Sequence, residues 1–314
     1  MDFWLTDDQR NLQDAMRSFV QGRFPLAEIA QAEGKDRVIK CWEDLAGMGI
    51  FSMRADGLGA REAVLVYEEL GRGLVPGPLV ASHLAAGLVG GAANGSTIVG
   101  LYEPGTEVTF VEHAAETTSL LWFDGGDLRV VDTTALTLEP VARPLDPLSP
   151  VWRATGEEPL APVIATGAEA ARLQHLGVVL AAAQLLGVAL GATELATTYA
   201  GQRQQFGRPI GSFQAVKHLL ADMLTKAELA RAQVYAAACA LDGASADDPA
   251  RAAAAAKVTA GDAALFCGKT GIQVHGGMGF TWEVHAQRYW KRAVVLDATF
   301  GSADHHAREL AGLM

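Results

Sequence analysis

Between Leu173 and Ala200 the chain carries a single charged side chain, Glu194, in a run of alanine, glycine, valine and leucine. A stretch this apolar either crosses a bilayer or is surrounded on all sides by its own protein. Its core, Val178 to Thr193, falls short of the roughly 20 residues that a bilayer requires, and it is rich in Ala and Gly rather than Leu and Phe. The sequence therefore predicts a long helix buried in a bundle, with no membrane contact. Thr166-Gly167-Ala168-Glu169 has the form of a capping box that would open this helix, which then runs to about Ala200.

The other segments supply partners for such a helix. Thr6 can cap an amphipathic helix over residues 7 to 21, with Leu12, Met16, Phe19 and Val20 on its apolar side. Asp36 to Met48 reads as a second helix. Ala60 to Leu74 reads as a third, with Val64, Leu65, Tyr67 and Leu70 apolar on one side and Glu68 and Glu69 on the other. Pro76-Gly77-Pro78 interrupts before Leu79 to Leu88 resumes the helical pattern. From Ser96 the pattern changes to short β-type runs: 97–102, 108–110, 119–123, 128–131 and 151–154. Gly125-Gly126 suits a hairpin between two of them. Helices then return, with Ser212 as cap of one reaching Leu241 and Pro249 in the first turn of another ending near Gln273. Trp282 to Ala298 and Ala303 to Leu313 complete the chain. The expectation is a mainly α fold with a small central β domain: residues 1–96 helical, 97–160 β, and 161–314 a helical bundle.

At 314 residues the chain has ample length for a core, and 19% charged residues is ordinary for a folded protein. A net charge of −11 argues against a nucleic-acid partner held through phosphates. One local arginine can still hold a phosphate-bearing cofactor. The beginning of the sequence, Met1 to Asp8, has no basic segment followed by an apolar one, so a cytoplasmic location is expected. Cys41, Cys239 and Cys267 are far apart, form no metal spacing and sit in apolar settings. His305-His306, beside Asp304, reads as a surface pair rather than a metal site, because adjacent residues on a helix face different directions.

Two motifs carry chemistry: Arg203-Gln204-Gln205-Phe206-Gly207-Arg208-Pro209-Ile210, followed by Gly211-Ser212-Phe213-Gln214, and Gln273-Val274-His275-Gly276-Gly277-Met278-Gly279-Phe280. A guanidinium is always charged and its planar fork suits phosphate oxygens. Glycines 276 and 277, without a Cβ, permit close approach of a ligand to the backbone or end a helix. In this order, and between long apolar helices, the motifs resemble those of the acyl-CoA dehydrogenase family. The resemblance implies FAD as cofactor, with Arg203 at its pyrophosphate, Phe206 against the adenosine, Gln214 and Gln273 toward the adenine, and Gly276 and Gly277 alongside. His275 is expected to pack or hydrogen-bond rather than catalyse.

The family's reaction removes the α-proton of an acyl thioester with a carboxylate while hydride passes from the β-carbon to flavin. The two positions where the family places that base align with Phe300 and Gly177, and neither is a carboxylate. The β domain keeps Glu103-Pro104-Gly105 but lacks the Gly-Ser-Asp tail that wraps the flavin ring in the family. These departures resemble the short subunit of the heterotetrameric α2β2 dehydrogenases of actinobacterial steroid catabolism. The resemblance implies a homologous catalytic subunit as partner, an acyl-CoA substrate and an electron-transferring flavoprotein as acceptor. Two alternatives stand beside it. One is a self-sufficient homo-oligomer with a relocated base, for which Asp297, one turn before Phe300, and Glu283 are candidates. The other is a flavin-free scaffold or CoA-ester binder.

Overall fold

The computed structural model describes residues 4–31, 42–105 and 108–312. These form α1 (Asp7–Arg23), α2 (Leu26–Gln31), α3 (Trp42–Gly47), α4 (Ala60–Arg72) and α5 (Leu79–Ala85), then the strands β1 (Val99–Leu101), β2 (Thr109–Glu112), β3 (Ser119–Asp124), β4 (Asp127–Asp132), β5 (Thr137–Pro140), β6 (Val151–Thr155) and β7 (Val163–Thr166). The second half holds α6 (Gly167–Gln202), a two-strand hairpin of β8 (Gln204–Gln205) and β9 (Arg208–Pro209), α7 (Gln214–Leu241), α8 (Pro249–His275), α9 (Ala286–Ala298) and α10 (Ala303–Gly312). The order is the one the sequence pattern predicts. Residues 36–41 of the second expected helix, and Cys41, lie outside the described residues.

The chain forms two compact units, one from residues 1–30, 60–75 and 178–314, the other from 31–59 and 76–177. Helix α6, of which residues 178–202 belong to the first unit, is the buried helix that its composition demands: its most apolar 18-residue window is fully enclosed by protein. Small residues on α6 let it meet α4 backbone to backbone. A Cβ on Gly187 would lie 2.0 Å from the Glu68 carbonyl oxygen, and one on Gly71 would lie 2.1 Å from that of Gln184. No side chain fits in that contact.

The close approach also corrects the expected orientation of α4. Glu68 and Glu69 do not face water; both are buried, because α4 is covered on every side. Burial of carboxylates requires paired cations and hydrogen bonds. Glu68 receives Arg72 at 3.2 Å, Arg231 at 3.3 Å and the Tyr235 hydroxyl at 2.8 Å. Glu69 receives Arg17 at 2.8 Å and Arg72 at 3.1 Å. Glu194, the lone charge of the apolar stretch, sits at the exposed edge of the same network and pairs with Arg72.

Helix ends follow local chemistry in two places and depart from it in two. Thr6 and Gln9 form a reciprocal capping box on α1, and Asp248 caps α8 ahead of Pro249 by accepting from Arg251 N at 2.9 Å. Ser212 does not cap α7: its hydroxyl donates to Pro209 O at 2.7 Å and steadies the preceding turn. Thr166 is not the cap of α6 either. It closes β7 opposite Asp127, and the chain turns into the helix through Gly167 at φ +56°.

The second unit contains a sheet of order β1-β3-β4-β7 and another of order β2-β6-β5. Tyr102, Val111, Leu120, Trp122 and Val131 form its apolar core. Gly125 and Gly126, both at positive φ, make the β3–β4 hairpin. Two strands escape the sequence pattern: β5, whose residues are largely exposed and include Pro140, and β7, which lies beyond residue 160.

Candidate functional site

Helix α6 ends in the hairpin that carries the arginine motif. Arg203 N donates to Tyr199 O at 2.8 Å, continuing the helical ladder, and Ile210 N donates to Arg203 O at 2.8 Å, closing the loop. Between them Phe206 and Gly207 occupy the tip, at φ +53° and +79°. Two successive positive φ values match a type I′ hairpin turn, which glycine and asparagine normally supply. A phenylalanine in that conformation is uncommon. This one is also 90% exposed, so packing within the chain does not account for it. Strain combined with exposure of a large aromatic marks a position kept for a contact outside the chain.

The rest of the hairpin is organised around Phe213. Its ring lies edge-on to Phe206 at 6.0 Å, and the Arg208 guanidinium covers it at 4.1 Å. Arg203 is exposed, and its guanidinium has no ion pair or hydrogen-bond partner among the described residues. Gln214 starts α7 and is exposed beside the hairpin. Gly211 lets the loop press against α6, since a Cβ there would be 3.0 Å from Ala200 O.

The glycine motif stands at the end of α8. Gly276 takes φ +61° as the helix stops, and its N–H bonds to Gln273 O. Gln273, Gly276 and Gly277 are exposed, and a Cβ on either glycine would meet nothing within 4 Å. Beyond them Met278, Phe280 and Trp282 expose apolar surface. His275 is buried, its ring bonded through Nδ1 to Gly271 O at 2.7 Å and stacked on Tyr199 at 4.2 Å. That stack joins the two motifs, because Tyr199 precedes Arg203 by one turn and His275 adjoins Gly276. The sequence reading missed Tyr199. Its only signal was spacing, one turn ahead of the arginine on the apolar helix.

This surface fits the adenosine and pyrophosphate of FAD: an unpaired guanidinium for the phosphates, an exposed ring for the adenosine, and open space over two glycines. The base positions fit differently. Phe300 is buried at φ +56°, and its carbonyl accepts from His306 Nε2 at 2.8 Å. Gly177 lies buried within α6. Asp297 is half-buried; its carboxylate accepts from Ala303 N at 3.3 Å, at the start of α10, and has no ion pair among the described residues. Lys257, fully buried, donates to the carbonyls of Asp297 and Thr299 at 2.8 Å and of Gly301 at 2.5 Å, tying down the end of α9. Glu283 is exposed in the turn before α9. In the second unit, Gly105 N donates to Thr109 Oγ1 at 3.1 Å; residues 106 and 107, where the ring-wrapping tail would begin, lie outside the described residues.

Residues 170–312 match the model of the acyl-CoA dehydrogenase C-terminal domain, and residues 6–96 match that of the N-terminal domain. Acyl-CoA dehydrogenase IpdE2 of Mycobacterium tuberculosis is 32% identical over 91% of this chain and 91% of its own length. The chain belongs to the acyl-CoA dehydrogenase family. A second relative, acyl-CoA dehydrogenase FadE34 of the same organism, is 33% identical over 86% of this chain, but the match spans only 41% of FadE34. Among solved structures, the Tcur3481–Tcur3483 steroid acyl-CoA dehydrogenase, a G363A variant, superposes with a TM-score of 0.80 over 98% of this chain and 97% of that chain, at 24% identity. The fold is thus that of the family.

Proposed function

We propose that this chain is the non-catalytic subunit of an FAD-dependent acyl-CoA dehydrogenase. It would supply the adenosine-pyrophosphate side of a flavin site whose ring pocket and base belong to a homologous catalytic subunit, in an α2β2 assembly. The observation that carries the reading is the contrast within one helical unit. Arg203, Phe206, Gln273, Gly276 and Gly277 are exposed, the Arg203 guanidinium without a partner among the described residues, while position 300 is a buried phenylalanine.

On this reading Arg203 binds and orients the pyrophosphate, Phe206 covers the adenosine, and Gln214 and Gln273 hydrogen-bond toward the adenine. Tyr199 and His275 hold the two motifs in register. FAD, when bound, supplies the hydride acceptor. Neither candidate base is placed to take the proton: Asp297 is committed to the start of α10, and Glu283 lies in a solvated turn. FadE34 supports the pairing, since a chain like this one accounts for less than half of it. The paired name and steroid substrate of the Tcur3481–Tcur3483 enzyme favour a bulky steroid-derived CoA thioester. Gly177 is compatible with such a substrate, because it adds no side chain.

The test is turnover. The chain alone, supplied with FAD and a panel of acyl-CoA and steroid-CoA thioesters, is expected to reduce no artificial electron acceptor, and the complex with a catalytic subunit is expected to do so. Turnover by the isolated chain would show that a base has been relocated and would refute the proposal.

A further inference from the structure

The sequence suggests that His305 and His306 point apart. In the structure both side chains converge on one carboxylate. Ser302 opens α10, accepting from His305 N at its hydroxyl (3.2 Å) and from His306 N at its carbonyl (3.1 Å). One turn later Glu309 projects back along the same face. Its Oε2 lies 2.7 Å from His306 Nδ1, and its Oε1 lies 3.4 Å from His305 Nε2.

The burial and anchoring of His306 make this more than a surface cluster. Its Nε2 donates to the Phe300 carbonyl at 2.8 Å, which fixes the ring and turns Nδ1 toward the carboxylate. A backbone carbonyl holding the far nitrogen is also the arrangement that orients metal-binding histidines. A second imidazole reaching the same carboxylate makes three donor atoms, all within 4.8 Å of one another. In a tetrahedral zinc site, with bonds of roughly 2.0–2.2 Å, ligand atoms are roughly 3.3 Å apart. The His305–Glu309 separation of 3.4 Å already has that value, and the His306–Glu309 pair needs to open only slightly.

We propose that His305, His306 and Glu309 form a zinc site, with two imidazole nitrogens and one carboxylate as ligands and the fourth position open to water. His305 and Glu309 have side chains 57% and 50% exposed, so an ion has direct access, while His306 is buried against the turn at residues 300–301. Bound zinc would staple α10 to that turn. The nitrogen ligands select zinc over magnesium or calcium, which prefer oxygen.

The experiment titrates metal-stripped full-length chain, alone and in its complex, with zinc sulfate, read by isothermal calorimetry and native mass spectrometry. One saturable equivalent per chain is expected, with a rise in melting temperature from preferential binding to the folded state. His305→Ala and Glu309→Gln, both at exposed side chains, are each expected to weaken binding at least tenfold and to abolish the thermal shift. His218→Ala, an exposed histidine on α7, is expected to change neither. Absence of a saturable equivalent, or identical isotherms for the wild type and both variants, would overturn the proposal.

Discussion

Replacing Arg203 by methionine separates a ligand-binding role from a structural one. The guanidinium is exposed and makes no ion pair or side-chain hydrogen bond with any described residue, so the folded chain alone loses little when it is removed. Substitutions of that kind stay within about 0.5 kcal/mol. The backbone bonds that fix the loop, Arg203 N to Tyr199 O and Ile210 N to Arg203 O, are independent of the side chain. A charge-assisted hydrogen bond to a phosphate contributes roughly 1.5–3 kcal/mol. That converts to a loss of FAD affinity of roughly tenfold to over a hundredfold. The assay measures flavin retained by the co-purified complex after dialysis and the dissociation constant of the apo-complex for added FAD, beside urea unfolding of the variant chain. Unchanged stability with weakened FAD binding is expected, and Arg203→Lys should recover only part, because an ammonium lacks the fork. Retention of flavin at the wild-type level would refute the assignment.

Other perturbations follow from the packing and the buried charges. Gly187→Ala forces a methyl group to within 2.0 Å of the Glu68 carbonyl, so α6 and α4 must separate; a loss of at least roughly 3 kcal/mol in urea unfolding is expected. Lys257→Met leaves three carbonyls at the end of α9 without their donor, and a loss of roughly 3 kcal/mol or more is expected, again from urea unfolding. His83, buried in the second unit with Nδ1 donating to Ile50 O at 3.0 Å, has its pKa lowered by burial from 6.5 to about 4. Between those values the unfolded chain takes up a proton that the folded chain refuses, so stability is full above pH 6.5 and falls as pH drops toward 4. The total is roughly 3 kcal/mol, and His83→Asn should remove that part of the pH dependence in denaturant titrations from pH 7 to pH 4.

The sequence disclosed the architecture because the strongest signals were long-range in extent: an uninterrupted apolar helix, and blocks of one periodicity following blocks of another. It misassigned Glu68 and Glu69 because periodicity treats a carboxylate as solvent-facing. It has no access to Arg17, Arg72, Arg231 and Tyr235, which converge on α4 from other helices. The arginine and glycine motifs were legible as residues, but their connection was not. The Tyr199–His275 stack joins positions 76 residues apart, and Phe213 under Arg208 is visible only once the hairpin is folded. The convergence of the histidine pair was illegible for a similar reason, since adjacent side chains that leave a helix in different directions can still bend to a third residue one turn on.

The central claim is that one flavin site is shared between unlike chains, with this chain giving only the nucleotide side. Native mass spectrometry of the complex co-expressed with a homologous catalytic subunit, joined to flavin absorbance, measures it directly. The account predicts a mixed α2β2 tetramer with one FAD for each pair of unlike chains and little flavin on this chain alone. A homo-oligomer of this chain carrying one FAD per protomer would contradict it.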